Sequence, residues 1–248
     1  MPDRLNGAAT HSGSAAHAQA GDRRYGAWLF YAFVVFSIPA LVALSIMAHT
    51  TKVFSFDVPL TQSMQQFNPP WFDRIMHVLD WIGVGGQAVA LICLVIAILY
   101  LIGWRWAAVV GAVDAAGIWA VNLLIGHVVG RPYSTPDQFA QVTIHLTKPS
   151  FPSGHVDSFI AFYGFMCYLV YTRVTRPWLR IPIFTIFCAL IVLVGPSRVY
   201  MGQHWPSDVL ASIFLGPIWL ALMLYVYHRG AQTRFVRERF KDAEAAGK

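Results

Sequence analysis

Charge is scarce in this chain. Asp, Glu, Lys and Arg make up 12% of 248 residues, against about 25% in an ordinary soluble domain. A shortage of that size excludes a soluble globular protein. Cysteine is scarce too: Cys93, Cys167 and Cys188 each lie inside an apolar run. Three such residues offer neither a disulfide framework nor a ligand spacing, and they read as small core residues. No internal repeat and no Gly/Ser linker divides the chain, so a single folded domain is expected. The formal charge of +6 does not imply a nucleic-acid partner, because the basic residues flank apolar runs and form no stripe along a soluble face.

What is abundant is hydrophobic surface. Hydrophobic residues make up 56%, with 17 Phe and 9 Trp, and the mean hydropathy is +0.52. Residues 1–24 are rich in Ala, Gly, Ser and His without periodicity and read as a flexible tail. The run from Ala27 to Ala48 is long enough to cross a bilayer, which needs about 20 apolar residues, and it exceeds a signal-peptide core. Asn68-Pro69-Pro70-Trp71 should break a helix, and the stretch onward to Trp81 reads as interfacial. Further spans are expected at 83–103, 106–126, 154–173, 179–196 and 208–228. The expected fold is therefore all-α: an integral membrane bundle of six transmembrane helices over 25–228, with an interfacial segment between the first and second. Residues 229–248 form a basic tail whose arginines suit anionic headgroups.

Sidedness follows from the basic residues of the short loops. With both termini cytoplasmic, Arg4, Arg23, Arg24, Arg105, Arg173, Arg176, Arg180 and the tail from Arg229 to Lys248 lie inside. Only Lys52, Arg74, Arg131, Lys148 and Arg198 lie outside. The loops after the third and fifth spans then face outward.

Three polar segments fall at those outward ends. They are Gly130-Arg131-Pro132-Tyr133, Ser150-Phe151-Pro152-Ser153-Gly154-His155, and the stretch from Ser197 to Asp208. Pro152 stands where a helix would begin. Ser153 and Gly154 would then present backbone N–H groups at a helix N-terminus, a setting that favours phosphate. Arg131 and Arg198 add two planar forks suited to phosphate oxygens. His204 and Asp208, four apart, would share one helical face. A carboxylate on one ring nitrogen leaves the other free to attack phosphorus. A second histidine, His155, could protonate the leaving group. Taken singly, these segments are a cap, an interfacial anchor and a chance spacing. Together on one side of the membrane they describe in-line phosphoryl transfer.

The constellation resembles the type-2 phosphatidic acid phosphatase family, which includes vanadium haloperoxidases and bacterial acid phosphatases. Its Pro-Ser-Gly-His motif matches Pro152 to His155. Its motif of Ser-Arg, five residues, His, three residues and Asp matches Ser197, Arg198, His204 and Asp208. The resemblance runs from about Trp71 to Trp219. It implies a phosphohistidine on His204, His155 as general acid, and no metal or other cofactor. Substrates of the family include undecaprenyl diphosphate, phosphatidylglycerol phosphate, phosphatidic acid and lipid A phosphate. An isoprenyl diphosphate is slightly favoured, and the loop 133–150 is expected to set headgroup choice. The implied location is a bacterial cytoplasmic (inner) membrane with the site facing the exterior. A lipid phosphotransferase, or a lipid-binding or transporting relative with weak catalysis, are the alternatives.

The first family motif departs. Its pattern is Lys, six residues, then Arg-Pro; with Arg131-Pro132 as the pair, the Lys position holds Leu124. His127, three residues on, shares nearly the same helical face and is the candidate for a substitute cation when protonated. Lys148 and Tyr133 are further accessory candidates for the phosphate or headgroup, while His145 reads as a solvated loop residue. Asp114, mid-span, reads as an interhelical hydrogen-bonding group. Asp157 reads as a supporting or headgroup contact, not a catalyst.

Overall fold

The computed structural model describes residues 4–83, 85–133 and 149–232, with side chains from Trp28 onwards. Lys148, His145, most of the loop expected to set headgroup choice, and the tail beyond Gln232 lie outside the described residues. Among the described residues every regular element is helical. That is the expected outcome for a chain this apolar, because a helix satisfies its own backbone polar groups in lipid.

Helix α1 (Arg4–Thr51) contains the apolar stretch Trp28–Thr51 and continues N-terminally through the polar residues read as a tail. Helices α2 (Asp57–Gln66) and α3 (Pro70–Gly83) follow. The break between them falls at Asn68-Pro69, as the prolines require. Helix α4 (Gly85–Leu101) leaves α3 at an angle of 70°. Helix α5 (Arg105–Val129), helix α8 (Pro177–Tyr200) and helix α9 (Pro206–Gln232) are long and apolar. Between α5 and α8 the chain forms α6 (Gly154–Ser158), a π-helical turn (Phe159–Tyr163) and α7 (Gly164–Arg173).

Four helices are long and apolar enough to cross a membrane, or five if the bent pair α3–α4 is one span. This is fewer than the six expected from hydropathy. The difference has two physical sources. The stretch 154–173 is helical throughout but changes winding at its π turn, and α4 is short and sharply bent from α3. A hydropathy window sees only apolar length in both places.

Helix α9 is the axis of the bundle and packs against α1, α5 and α6. Three glycines allow its approach. A Cβ on Gly216 would lie 2.7 Å from Ile160, one on Gly164 2.7 Å from Leu220, and one on Gly117 2.3 Å from Trp219. Small residues at such contacts let membrane helices pack by van der Waals contact where no hydrophobic force separates helix from lipid. The main core, including Val110, Phe159, Phe162, Phe165, Met166 and Met223, lies beside this seam. A second cluster of Ala48, Phe54, Val129, Phe151 and Ala211 sits at the end of the bundle where the polar segments meet.

One expectation about isolated residues changes here. The cysteines are not core residues: Cys93 is exposed, and Cys167 and Cys188 are half-buried with their sulfurs 3.7 Å apart. Their helices are apolar nearly all round, so an apolar neighbourhood in sequence does not distinguish lipid from core. Asp114 is fully buried at the α5–α9 contact. There the Trp219 indole donates to its backbone carbonyl at 3.2 Å.

Candidate active site

The three polar segments converge at one end of the bundle. Helix α5 stops at Gly130, whose φ of 60° is the left-handed conformation of a helix C-cap, and its N–H returns to the Gly126 carbonyl. That reversal throws Arg131, Pro132 and Tyr133 over the helix end. Helix α6 begins at Gly154, two residues later than Pro152, with Ser153 extended at its N-cap. The N–H groups of Gly154 and His155 open the helix, so no carbonyl within it can reach them. The Ser153 N–H points to the Asp208 carbonyl at 3.4 Å. Between α8 and α9 the chain turns within Met201–Trp205, where Gly202 has φ 62°. The Arg198 carbonyl receives the Gln203 and His204 N–H groups at 3.0 and 3.3 Å.

His204 therefore precedes α9 and does not share a turn with Asp208. Its Nδ1 lies 2.9 Å from the Ser150 carbonyl and 3.6 Å from Asp208 Oδ2. The Nδ1–H donates to the backbone carbonyl, and the carboxylate stands just behind. Either way Nε2 is left with its lone pair. His155 faces this ring from α6, the centroids 6.2 Å apart and the planes at 64°. Its ring lies beside Gly83. Gly83 lies at the α3–α4 break, where a Cβ would approach His155 Cδ2 to 3.4 Å and Arg198 Nη2 to 3.3 Å.

Arg198 is fully buried at the end of α8. Its Nη1 donates to Asp80 at 2.9 Å and to Gln203 Oε1 at 2.8 Å, and Nη2 donates to the Leu79 carbonyl at 3.3 Å. Gln203 in turn donates to Asp80 at 2.8 Å. Two buried polar atoms of the site, Arg198 Nε and Ser153 Oγ, have no hydrogen-bond partner among the described residues. Buried groups of this kind are normally satisfied, and a bound anion is a fitting partner for both.

Arg131 reaches the site in a different role from the one expected. It is fully buried. Its Nη1 donates to Ser207 Oγ at 2.7 Å and to Asp208 Oδ1, Nη2 to Asp57 Oδ2 at 2.5 Å, and Nε to the Lys52 carbonyl. The rings of Phe54 and Trp205 lie 5.1 and 5.5 Å from its guanidinium carbon. An arginine held this way presents no open fork to a phosphate. The spacing of Arg-Pro after α5 brings the residue to the right end of the bundle, but the acids that engage it come from distant segments.

His127 is exposed, and Leu124 is 65% exposed. The two share a face, as their spacing requires, but it is the face of α5 opposite the site. The inward face carries Asn122 and Gly126. Asn122 donates to Asp157 at 2.6 Å and to the Pro152 carbonyl at 3.1 Å, and its Oδ1 would lie 3.1 Å from a Cβ on Gly154. It thereby pins the Pro-Ser-Gly-His turn to α5, and Asp157 is the buried acid that supports it. Tyr133 does join the site, its ring 5.3 Å from that of His204. Burial, and then the negative charge of Asp208, push its hydroxyl up to about 12. It stays protonated at any working pH and can donate to a phosphate oxygen.

Asp57, Asp80, Asn122, Gln203 and Ser207 are site residues that the motifs do not announce. Gln203 and Ser207 lie inside the third segment, where proximity to His204 was a usable signal. The other three stand in unpatterned stretches. Among the described residues no group of three or more His, Cys, Asp or Glu is arranged to hold a metal ion.

Comparison with known proteins gives one consistent picture. The PAP2 superfamily model matches residues 106–231. Phosphatidylglycerophosphatase B of Bacillus subtilis (strain 168) is 26% identical over 196 residues, covering 78% of this chain and 91% of the relative. A lipid A 1-phosphatase of Rhizobium etli is 31% identical over 136 residues, covering 52% of this chain and 53% of the relative. The crystal structure of a transmembrane PAP2-type phosphatidylglycerolphosphate phosphatase from Bacillus subtilis shares the fold. Its TM-score is 0.68 at 24% identity, over 82% of this chain and 98% of that one.

Proposed function

The chain belongs to the PAP2 superfamily, and from that premise we propose that it is a membrane-embedded phosphatase acting on a lipid phosphate through a histidine nucleophile. The observation that carries the reading is the facing pair of imidazoles, 6.2 Å apart and on different elements, with one Nδ1 held to a carbonyl. His204 Nε2 forms a bond to phosphorus while the bond from phosphorus to the leaving oxygen breaks. Protonated His155 gives its proton to that oxygen. Water then attacks phosphorus, neutral His155 takes the proton, and the phosphorus–nitrogen bond breaks to release phosphate. Arg198 and the N–H groups at the start of α6 stabilise the equatorial oxygens. Acid, nucleophile and charge stabilisation all come from the protein, so no step calls for a metal.

Candidate substrates are phosphatidylglycerol phosphate, phosphatidic acid, undecaprenyl diphosphate and lipid A 1-phosphate. Supporting the first, the phosphatidylglycerophosphatase relative aligns over most of both chains. Purified protein in detergent is expected to release phosphate from at least one lipid of this panel, with inhibition by vanadate and indifference to EDTA. Release lost in EDTA and restored by Mg²⁺ would overturn the metal-free mechanism. Transfer to an added alcohol in preference to water would make the protein a phosphotransferase, and binding without release a lipid-binding relative.

The proposal includes a six-span arrangement in a bacterial cytoplasmic membrane, with the site outward and both termini cytoplasmic. The helical path Gly154–Arg173 rises about 30 Å, enough for the hydrocarbon core, and α4 would supply a further crossing. In a background with Cys93, Cys167 and Cys188 replaced by Ser, an impermeant thiol reagent should label Ala140→Cys in intact cells. It should label Ala245→Cys only after lysis. Labelling of Ala245→Cys in intact cells would reverse the orientation.

A further inference from the structure

The nucleophile's carboxylate is not held by the membrane helices alone. Asp208 Oδ2 faces His204 and accepts the Trp205 N–H at 3.1 Å, while Oδ1 is gripped by Arg131. Arg131 is in turn gripped by Asp57, the first residue of α2, at 2.5 Å. Asp57 is fully buried. It also accepts the Ser207 N–H at 3.0 Å, the Ser207 hydroxyl at 2.7 Å and the Phe54 N–H at 3.0 Å. Ser207 Oγ thus receives a hydrogen bond from Arg131 and gives one to Asp57. The turn before α2 contributes as well. Lys52, at φ 63°, adopts a left-handed conformation rare for a residue with a side chain, and its carbonyl receives Arg131 Nε.

We propose that Asp57 is a positioning residue for the phosphoryl transfer: with Ser207 it fixes Arg131 as a strut that orients Asp208 and, through it, the His204 ring. The inference rests on the phosphatase reading above. Asp57 lies well outside the segment matched by the family model, and no motif contains it. Arg131 acts here on the protein, not on the phosphate. With Leu124 turned outward at the Lys position of the first motif, neither member of that motif offers a cation to the substrate. Charge stabilisation then falls on Arg198, whose Nε is buried without a partner among the described residues.

A strut and a phosphate ligand differ in what their loss changes. Removing a strut misplaces the nucleophile and lowers kcat, whereas removing a ligand weakens every phosphate-like species that binds. The experiment measures kcat and KM on the best lipid of the panel, together with the inhibition constant of vanadate, for wild type, Asp57→Asn, Arg131→Gln and the double variant. Each single variant is expected to lose about a hundredfold in kcat, the scale of a small misplacement at the reacting atoms. Vanadate affinity and KM should stay within about threefold of wild type, which also shows that each variant is folded. The double variant should be no slower than Arg131→Gln, because both residues serve one linkage. If either single variant does not fold, Ser207→Ala carries the test: it removes the bridge without stranding a charge and should lower kcat with unchanged vanadate affinity. A rise of tenfold or more in KM and the vanadate constant for Arg131→Gln would identify a phosphate ligand and overturn the proposal. Multiplying losses in the double variant, or wild-type kcat in Asp57→Asn or Ser207→Ala, would do the same. A wild-type protein that neither releases phosphate nor binds vanadate would instead sink the phosphatase reading itself.

Discussion

His204→Ala is expected to lower phosphate release by at least about a thousandfold, the scale at which loss of a covalent nucleophile is felt. The geometry makes this the most damaging single change. The His204 Nδ1–H donates to the Ser150 carbonyl at 2.9 Å, which leaves Nε2 free to serve as the nucleophile of the proposed mechanism. His155 stands on the other side of the pair, beside Gly83. Rapid mixing with a ³²P-labelled lipid and an alkaline quench should trap a phosphohistidine in wild type and none in His204→Ala. Asp208→Asn should be much milder, about tenfold to a hundredfold. At 3.6 Å the carboxylate stands behind a tautomer already set by the backbone. Labelled protein in His204→Ala, or equal damage from both substitutions, would place the nucleophile or the tautomer control elsewhere.

The contrast between those two residues shows how far the sequence could be read. The segments around Arg131, His155 and His204 were legible as a site because each combines polar residues with the end of an apolar run. Helices in a bundle bring such ends together, and the structure does so. The pairing of His204 with Asp208 was legible only as a spacing. Four residues imply a shared helical face, but Gly202 and Pro206 place a turn before α9, so the closest partner is a carbonyl from another segment. His127 went the other way. Its spacing from Leu124 correctly puts both on one face of α5, and nothing in the spacing says that the face is turned outward. Asp57 and Asp80 were illegible for a different reason. Their partners, Arg131 and Arg198, lie 74 and more than 100 residues away, and a lone acid in a segment without periodicity carries no mark of the arginine it will meet. The same limit applies to the spans. Hydropathy sums apolar length and is blind to the 70° bend after Gly83 and the π turn below His155.

Those bends also bear on chemistry. Removing one partner of a buried ion pair costs about 3–5 kcal/mol, because the remaining charge is left without water or counter-ion. Asp80 pairs with Arg198 from α3, just before the bend, and Asp57 pairs with Arg131 from α2. The two helices that precede α4 therefore each carry an acid into the site from outside the segment matched by the family model. The site is assembled by them as much as by the motif-bearing helices.

His155→Ala should separate substrates by their leaving groups. A general acid matters in proportion to the basicity of the oxygen that departs, and its removal costs about a hundredfold to ten-thousandfold where that oxygen must leave protonated. Phosphatidylglycerol phosphate and phosphatidic acid release an alkoxide, a strong base. Undecaprenyl diphosphate releases a phosphate monoester, a far weaker base, and para-nitrophenyl phosphate releases a stabilised phenolate. With His155 facing His204 across the site, the variant should lose the full factor on the first pair and much less on the second. His204→Ala should show no such discrimination, because every substrate needs the nucleophile. Relative kcat values for wild type and variant on one lipid of each kind, plotted against leaving-group basicity, are the measurement. A steeper dependence in His155→Ala than in wild type is the expected result. Parallel lines would mean that His155 only shapes the pocket, and the proton would then have to come from water or from the Tyr133 hydroxyl, whose ring also borders His204.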